Sequence, residues 1–154
     1  MNEVVSKLIN LNKKIATMES CTGGLVASEI TNVPGASEIL NFSAVTYSNE
    51  FKIKMGVDKD IIDKYSVYSM ECAMEMSKNI SLFSNSDYGI GVTGKLKRSD
   101  KENMHGNDDI VYISIFDREN NKYHNDMIRV TEEGRRDNKY LVVDKVIKML
   151  NNIL

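Results

Sequence analysis

Residues 19–24, with the sequence Glu-Ser-Cys-Thr-Gly-Gly, bring a carboxylate, two hydroxyls, a thiol and two glycines together. An apolar run, 15–18, precedes them and a segment with helical spacing, 25–30, follows, which predicts a strand, a turn and a helix. Ligands of open α/β sheets collect at the carboxyl ends of strands, where helix N-termini offer N–H groups. Ser20 or Cys21 is therefore a candidate nucleophile, with the N–H groups of Gly23 and Gly24 as oxyanion donors. The alternative is an ordinary turn with Thr22 as N-cap.

Two more polar clusters follow predicted strands: Tyr47-Ser48-Asn49 with Lys52, and Thr93-Gly94. A serine nucleophile needs a base, and both histidines, His105 and His124, are predicted to be surface residues. A desolvated lysine can serve instead, because burial lowers its pKa. Lys52 is the candidate base, with Tyr47 relaying the proton or orienting the lysine. The alternative for Lys52 is a solvated lysine on a helix.

Two further residues of the 19–24 stretch, Cys21 and Glu19, each have two candidate roles. Free cysteines are commonly buried and inert, so Cys21 is predicted to pack rather than react. Glu19 is either a general acid or a carboxylate that fixes the turn by accepting backbone N–H bonds. No spacing typical of metal ligands is present, so neither a metal nor a cofactor is expected.

Composition limits the class of protein. The chain has 154 residues, a net charge of -2 and a pI of about 5.7, which fits one globular domain spanning 1–154. No basic face suggests nucleic-acid binding, and no apolar run is long enough to span a bilayer. The N-terminus lacks the pattern of a signal peptide, and two cysteines do not make a disulfide framework. We therefore expect a cytoplasmic protein with no nucleic-acid or membrane partner.

Hydrophobic periodicity predicts an alternation of helices and strands that ends in a hairpin. Predicted helices cover the N-terminus, 24–31, 58–65, 69–82 and 136–154, and predicted strands cover 15–18, 42–47, 88–92, 110–116 and 123–130. This order gives a mixed sheet with helices on both faces, an α/β class protein with a three-layer α/β/α sandwich.

The stretch 19–24 resembles the ESCTGG signature of the CinA C-terminal domain family, the nicotinamide-nucleotide amidohydrolases. Further resemblances follow in the same order along the chain: 33–37 (Val-Pro-Gly-Ala-Ser), 45–49 with Lys52 (Val-Thr-Tyr-Ser-Asn), 56–57 (Gly-Val), 92–94 (Val-Thr-Gly) and 134–136 (Gly-Arg-Arg). The resemblance covers nearly the whole chain and is specific in its first half, whereas it weakens after Gly94.

The resemblance implies a function: hydrolysis of the carboxamide of nicotinamide mononucleotide to nicotinic acid mononucleotide and ammonia. Ser20 would attack, Lys52 would act as base and Tyr47 would assist. The residues implied to bind substrate are Thr22, Gly23, Gly24, Thr93, Gly94 and Arg136, the last being chosen over its neighbour Arg135 to bind a phosphate. The family also implies a homo-oligomer, and the lack of a preceding domain implies a stand-alone protein.

The sequence departs from the family pattern after Gly94. Family members continue with a Gly/Pro-rich loop, whereas this chain continues with Lys95-Leu96-Lys97-Arg98. We expect 95–109 to form a mobile, cationic loop, because it has little apolar content to pack it down. Its side-chain charges would replace the backbone N–H groups with which the glycine-rich loop of family members would hold a ligand. The alternative function is therefore a catalytically impaired CinA-like protein that binds nucleotides or regulates. A third hypothesis is redox sensing through Cys21.

Overall fold

A computed structural model describes residues 1–98, 101 and 104–154. Within those residues the chain forms six α-helices, a short 3-10 helix and five strands. In chain order they are α1 (Asn2–Asn10), β1 (Ile15–Glu19), α2 (Leu25–Thr31), the 3-10 helix (Ala36–Glu38), β2 (Leu40–Val45), α3 (Asn49–Lys54), α4 (Lys59–Tyr65), α5 (Met70–Ser84), β3 (Tyr88–Gly94), β4 (Ile110–Asp117), β5 (Lys122–Arg129) and α6 (Arg135–Ile153).

The five strands form one mixed sheet in the order β2-β1-β3-β4-β5. β1 lies at its parallel centre, paired with β2 on one side and β3 on the other. β4 is antiparallel to both β3 and β5, so the last two strands form the predicted hairpin. The mixed sheet with helices on both faces confirms the predicted α/β architecture.

Two apolar cores separate the three layers. On one face, α1, α2 and α6 pack on alternate residues of the strands, including Ile15, Ile90 and Ile113. On the other face, α4 and α5 pack on Ala16 and Met18. Helix α5 lies so close to β3 that a Cβ added at Gly91 would stand 2.2 Å from the carbonyl oxygen of Ala73. A larger residue there would push the helix off the sheet.

The helix caps agree with the sequence at two positions. Asp58 caps α4, and the Ser69 hydroxyl accepts from the backbone N–H of Cys72 at 3.1 Å to cap α5. The second strand lies two residues earlier than predicted: β2 covers Leu40–Val45, whereas the prediction was 42–47. The side chains of this edge strand are half-buried or exposed, so they lack the clear apolar alternation that marks strand ends. The 3-10 helix was not predicted, and a helix at the position of α3 entered only in the alternative for Lys52. Among the described residues, no helix is both long and apolar enough to cross a membrane.

The carboxyl ends of the three parallel strands meet at one edge of the sheet. Backbone bonds continue the ladder just past β1, since the N–H of Ser20 donates to Val92 O at 3.0 Å and that of Thr46 donates to Glu19 O at 2.8 Å. The turn after β1, the turn after β2 and the segment after β3 are thereby brought side by side, as expected for the ligand-binding edge of such a sheet.

Candidate active site

A cavity of about 1010 Å³ opens at this edge of the sheet. Its walls come from the three segments that follow β1, β2 and β3, from the residues just before α5 and from the start of α6. The described residues that line it are Ser20, Cys21, Tyr47, Ser48, Asn49, Glu50, Lys52, Val67, Tyr68, Gly94, Lys95, Leu96, Arg98, Lys101 and Arg135.

Ser20 and Lys52 are in direct contact in this cavity. The Lys52 ammonium donates to Ser20 Oγ at 3.1 Å and to the carbonyl oxygen of Thr46 at 2.7 Å. Lys52 is only 2% exposed and Ser20 7%, so this contact lies at the buried end of the cavity. The alternative of a solvated lysine is therefore wrong: α3 turns Lys52 into the protein.

Burial lowers the pKa of the Lys52 amine below its usual value, with the neighbouring thiols of Cys72 and Cys21 acting weakly in the opposite sense. No described carboxylate forms an ion pair with this lysine, so the bonds to Ser20 and Thr46 offset only part of the cost of removing its charge from water. The neutral amine, which can accept a proton, is favoured relative to a surface lysine.

Glu19 fixes the turn that presents Ser20. Its carboxylate is fully buried and accepts bonds from the hydroxyls of Thr17 and Thr22 and from the backbone N–H groups of Gly24, Val26 and Ala27, at 2.6–3.1 Å. It thus satisfies the first N–H groups of α2, where a negative charge is also favoured by the helix dipole. Of its two predicted roles, this contact pattern matches the one that ties down the turn.

The same bonds correct two expectations about this turn. Thr22 is not the N-cap, because Gly24 holds that position with a φ of 91° and Thr22 donates to Glu19 instead. The N–H groups of Gly23 and Gly24 are not available as oxyanion donors, since they donate to Ser20 O at 3.0 Å and Glu19 Oε2 at 3.1 Å. Within the part of the chain that the structure describes, the N–H of Cys21 donates to no other residue.

Cys21 lies in the core and borders the cavity, with 5% exposure. Burial raises the pKa of its thiol to about 12, although the nearby Lys52 charge acts to lower it. At neutral pH the thiol stays protonated and is a poor nucleophile. This environment fits the predicted packing role.

Tyr47 and the two arginines at the start of α6 lie at the rim. Tyr47 is 66% exposed, and its hydroxyl accepts a long bond of 3.5 Å from Arg135 rather than contacting Ser20 or Lys52. Arg135 lines the main cavity, whereas Arg136 lines an adjacent cavity of about 410 Å³. The choice of Arg136 over Arg135 thus fails for the main cavity, because the helix turns successive side chains in different directions.

The other predicted binding residues divide between the same two cavities. Gly94 lines the main cavity, while Thr22, Gly23 and Gly24 line the smaller one with Arg136. Thr93 is fully buried and its hydroxyl donates to Val67 O at 2.7 Å. That bond ties the end of β3 to the residues before α5, so Thr93 shapes the cavity wall without lining it.

The segment after Gly94 is more firmly packed than its composition predicts. Leu96 is 2% exposed and belongs to the core, and Lys95 is 3% exposed. Lys97 donates to Thr131 O at 2.7 Å and is not in the cavity wall. The expectation of a loop that is not packed down is thus wrong for Lys95 and Leu96, whereas the exposed Arg98 and Lys101 do line the cavity. Residues 99, 100, 102 and 103 of that expected loop lie outside the described residues.

Sequence reasoning missed the contribution of Val67 and Tyr68 to the cavity wall. A signal was present: these residues come directly before Ser69, whose capping role was predicted, and residues that precede a helix N-terminus at the carboxyl edge of a sheet commonly face ligands. In residues 1–98, 101 and 104–154, no group of three or more His, Cys, Asp or Glu side chains is arranged to hold a metal.

A sequence model of the CinA C-terminal domain matches residues 1–154, the whole chain. The chain belongs to the CinA C-terminal domain family. Relatives named competence-damage inducible protein include one from Caldanaerobacter subterraneus, 48% identical over 96 residues, and one from Clostridium perfringens, 47% identical over 97 residues. Each match covers 61% of this chain and 23% of the relative, so the matched part of the chain spans about a quarter of those proteins.

Solved structures agree on the fold. The competence/damage inducible protein of Agrobacterium tumefaciens superposes with a TM-score of 0.87 at 25% identity, covering 97% of this chain and 90% of that one. A CinA superfamily protein of Klebsiella pneumoniae superposes with a TM-score of 0.90 at 22% identity, covering 98% and 92%. The arrangement of sheet and helices is thus that of the CinA superfamily.

Proposed function

We propose that the cavity hydrolyses the carboxamide of nicotinamide mononucleotide, with Ser20 as nucleophile and Lys52 as base. The observation that carries the proposal is the contact of 3.1 Å between Lys52 Nζ and Ser20 Oγ, both buried at the inner end of the cavity. A hydroxyl is a weak nucleophile until a base within hydrogen-bond reach takes its proton. The lowered pKa of Lys52 supports that role.

The chemistry balances without a metal or a cofactor. Neutral Lys52 accepts the Ser20 proton while Oγ forms a bond to the carbonyl carbon of the amide. The resulting ammonium returns the proton to the amide nitrogen, the C–N bond breaks and ammonia leaves an acyl ester on Ser20. A water molecule, deprotonated by Lys52, then attacks the ester carbonyl; the bond between that carbon and Oγ breaks, the Lys52 ammonium returns the proton to Oγ, and the acid leaves with the serine and the neutral amine restored.

The developing oxyanion needs donors that are not engaged with other residues. With the N–H groups of Gly23 and Gly24 occupied, the backbone N–H of Cys21 is the nearest candidate in sequence, because it directly follows the nucleophile, belongs to a residue in the cavity wall and, among the described residues, contacts only the thiol of Cys21 itself. The rigid turn built on Glu19 supports this assignment, since fixed donors stabilise charge better than mobile ones.

The charges of the cavity suit an anionic substrate. Among the described residues, five cationic side chains line it (Lys52, Lys95, Arg98, Lys101 and Arg135) against one carboxylate, that of Glu50, although the whole chain carries a net charge of -2. The volume of about 1010 Å³ exceeds what a free nicotinamide ring needs and leaves room for a mononucleotide. Tyr47 and Arg135 at the rim offer a ring and a guanidinium for the outer part of such a ligand.

The test is release of ammonia from nicotinamide mononucleotide by the wild-type protein and by Ser20→Ala, each with and without a chelator. We expect Ser20→Ala to lose activity by about two orders of magnitude or more, and the chelator to have no effect. Activity that survives in Ser20→Ala excludes the serine mechanism. Binding of the nucleotide without any turnover by the wild-type protein would favour the alternative of a nucleotide-binding or regulatory protein.

A further inference from the structure

We propose that Lys95 binds the phosphate of the substrate and determines the preference for a phosphorylated over an unphosphorylated ligand. The inference rests on the proposed function for the identity of the substrate, and on Lys95 itself for the anion site. Lys95 stands directly after Gly94, where β3 ends, and it lines the same cavity as Ser20 and Lys52.

The protein holds the Lys95 side chain in one place. The side chain is only 2% exposed, its Nζ donates to Asp108 Oδ1 at 3.0 Å, and the ammonium stands 4.9 Å from the centre of the Tyr68 ring. The backbone is fixed as well, because the N–H of Lys95 donates to Ile110 O at 3.1 Å. A lysine ordered in this way loses little further rotamer freedom when a ligand binds.

The ammonium has capacity for another acceptor. A lysine ammonium has three N–H donors, and among the described residues Asp108 supplies the one hydrogen-bond acceptor of Lys95 Nζ, while the Tyr68 ring offers only its π face. The Asp108 side chain is half exposed, so its carboxylate stays largely solvated. An anion in the cavity can take up the remaining donors of Lys95.

The other cations near Lys95 are less suited to this role. Arg98, Lys101 and Arg135 line the cavity but are exposed, so a ligand would have to order them and water would screen them. Lys52 is buried but is in contact with Ser20, where a phosphate would block the nucleophile. Lys95 is thus the buried cation of the described cavity wall that is not occupied with the reacting group.

The experiment measures binding in a Ser20→Ala background, where turnover does not interfere. Isothermal titration calorimetry compares nicotinamide mononucleotide with nicotinamide riboside, which lacks the phosphate. We expect Lys95→Met to weaken binding of the mononucleotide at least tenfold, which corresponds to about 1.4 kcal/mol, and to leave the riboside unchanged. Lys97→Met is the matched control, because Lys97 lies in the same segment but outside the cavity wall, and it should change neither affinity.

Asp108→Asn separates a binding role from a structural one. If Lys95 binds the phosphate, removing the competing carboxylate should leave binding of the mononucleotide unchanged or tighten it. If the ion pair only holds the segment in place, Asp108→Asn should weaken binding as Lys95→Met does, and that result overturns the proposal. The half-exposed Asp108 also provides a test if Lys95→Met fails to fold, which circular dichroism will show.

Two further outcomes keep this inference distinct from the proposed function. A wild-type protein that binds the mononucleotide without hydrolysing it, and loses that binding in Lys95→Met, refutes the amidase but retains the phosphate site. A wild-type protein that hydrolyses the mononucleotide, with equal losses for both ligands in Lys95→Met, retains the amidase and refutes the phosphate site. Failure of the Ser20→Ala protein to bind either ligand contradicts the inference.

Discussion

Replacing Lys52 by methionine should remove activity and at the same time stabilise the protein. Methionine has nearly the length of lysine without its charge, and Lys52 is 2% exposed with no carboxylate partner among the described residues. Wild-type Lys52 must therefore either lose its proton on folding or bury a charge, and both cost free energy. Active sites commonly retain such locally unfavourable groups because the chemistry needs them.

The size of the stabilisation follows from linkage. Each unit by which the folded-state pKa of Lys52 lies below that of the unfolded chain costs the wild-type protein about 1.4 kcal/mol when the pH is below both values. At this chain length about 1 kcal/mol shifts the melting temperature by about 2–4 °C. The bonds to Ser20 Oγ and Thr46 O, which methionine cannot make, offset part of this gain. We expect a net rise of a few degrees at pH 7.

The stability difference between the wild-type protein and Lys52→Met should depend on pH in a definite direction. Burial lowers the folded-state pKa of Lys52, so the unfolded state binds more protons between that value and 10.5. Wild-type stability therefore rises with pH through this window, and the advantage of Lys52→Met shrinks as pH approaches 10.5. The rate of ammonia release should rise with pH on a limb that the variant lacks.

The assays are thermal unfolding between pH 6 and pH 10 and ammonia release over the same range. Lys148→Met is the matched control, since Lys148 is an exposed lysine of α6 and its replacement should change neither the melting temperature nor the rate. A Lys52→Met protein that is active with the wild-type pH profile refutes the lysine base. A stability difference that does not vary with pH refutes the argument that a buried, shifted amine causes it.

Two other predictions concern the turn after β1. Glu19→Gln should lower the free energy of unfolding by about 2–3 kcal/mol, because an amide cannot accept all the bonds that the buried carboxylate accepts from Thr22 and the start of α2. Chemical denaturation measures this loss, with Glu38→Gln as the control because Glu38 is exposed. Equal stabilities of the two variants would contradict this account. Cys21→Ala should retain most of the ammonia release, since a thiol with a pKa of about 12 is protonated. A loss as large as that of Ser20→Ala would instead identify the thiol as the nucleophile.

The sequence predicted most of the fold because its signals are local. Apolar periodicity indicates helices and strands wherever an element buries one face, and the side chains of Asp58 and Ser69 mark helix starts through bonds made within three residues. The hairpin of β4 and β5 follows from two strand patterns separated by a short polar turn. The β1 turn with Ser20 was identified from its residue types, its place after a strand and a resemblance that spans the chain.

Helix α3 was decided by tertiary structure. Its local pattern favours burial of Phe51 and Ile53 and exposure of Lys52, since apolar side chains normally turn inward. The fold does the reverse: Phe51 is 54% exposed, Ile53 is 38% exposed and Lys52 is buried. Ser48 starts the helix by accepting from the backbone N–H of Phe51, and the direction set by β2 then points Lys52 at Ser20. No local rule encodes that direction, because it depends on a partner 32 residues away.

The same reason explains the errors after Gly94 and at the start of α6. Lys95 and Leu96 lie in a charged stretch that is typical of a solvated loop, yet β4, Asp108 and Tyr68 enclose them. Arg135 and Arg136 are adjacent residues of the same type, so the sequence does not distinguish them. The orientation of α6 against the sheet places Arg135 at the main cavity and Arg136 at the smaller one. The sequence by itself determined which residue types could perform the chemistry. The tertiary structure decided which of these side chains are buried and which way they point, through contacts between segments distant in the chain. Desolvation depends on everything packed around a group, and the reactivity of an amine or a thiol depends on its desolvation.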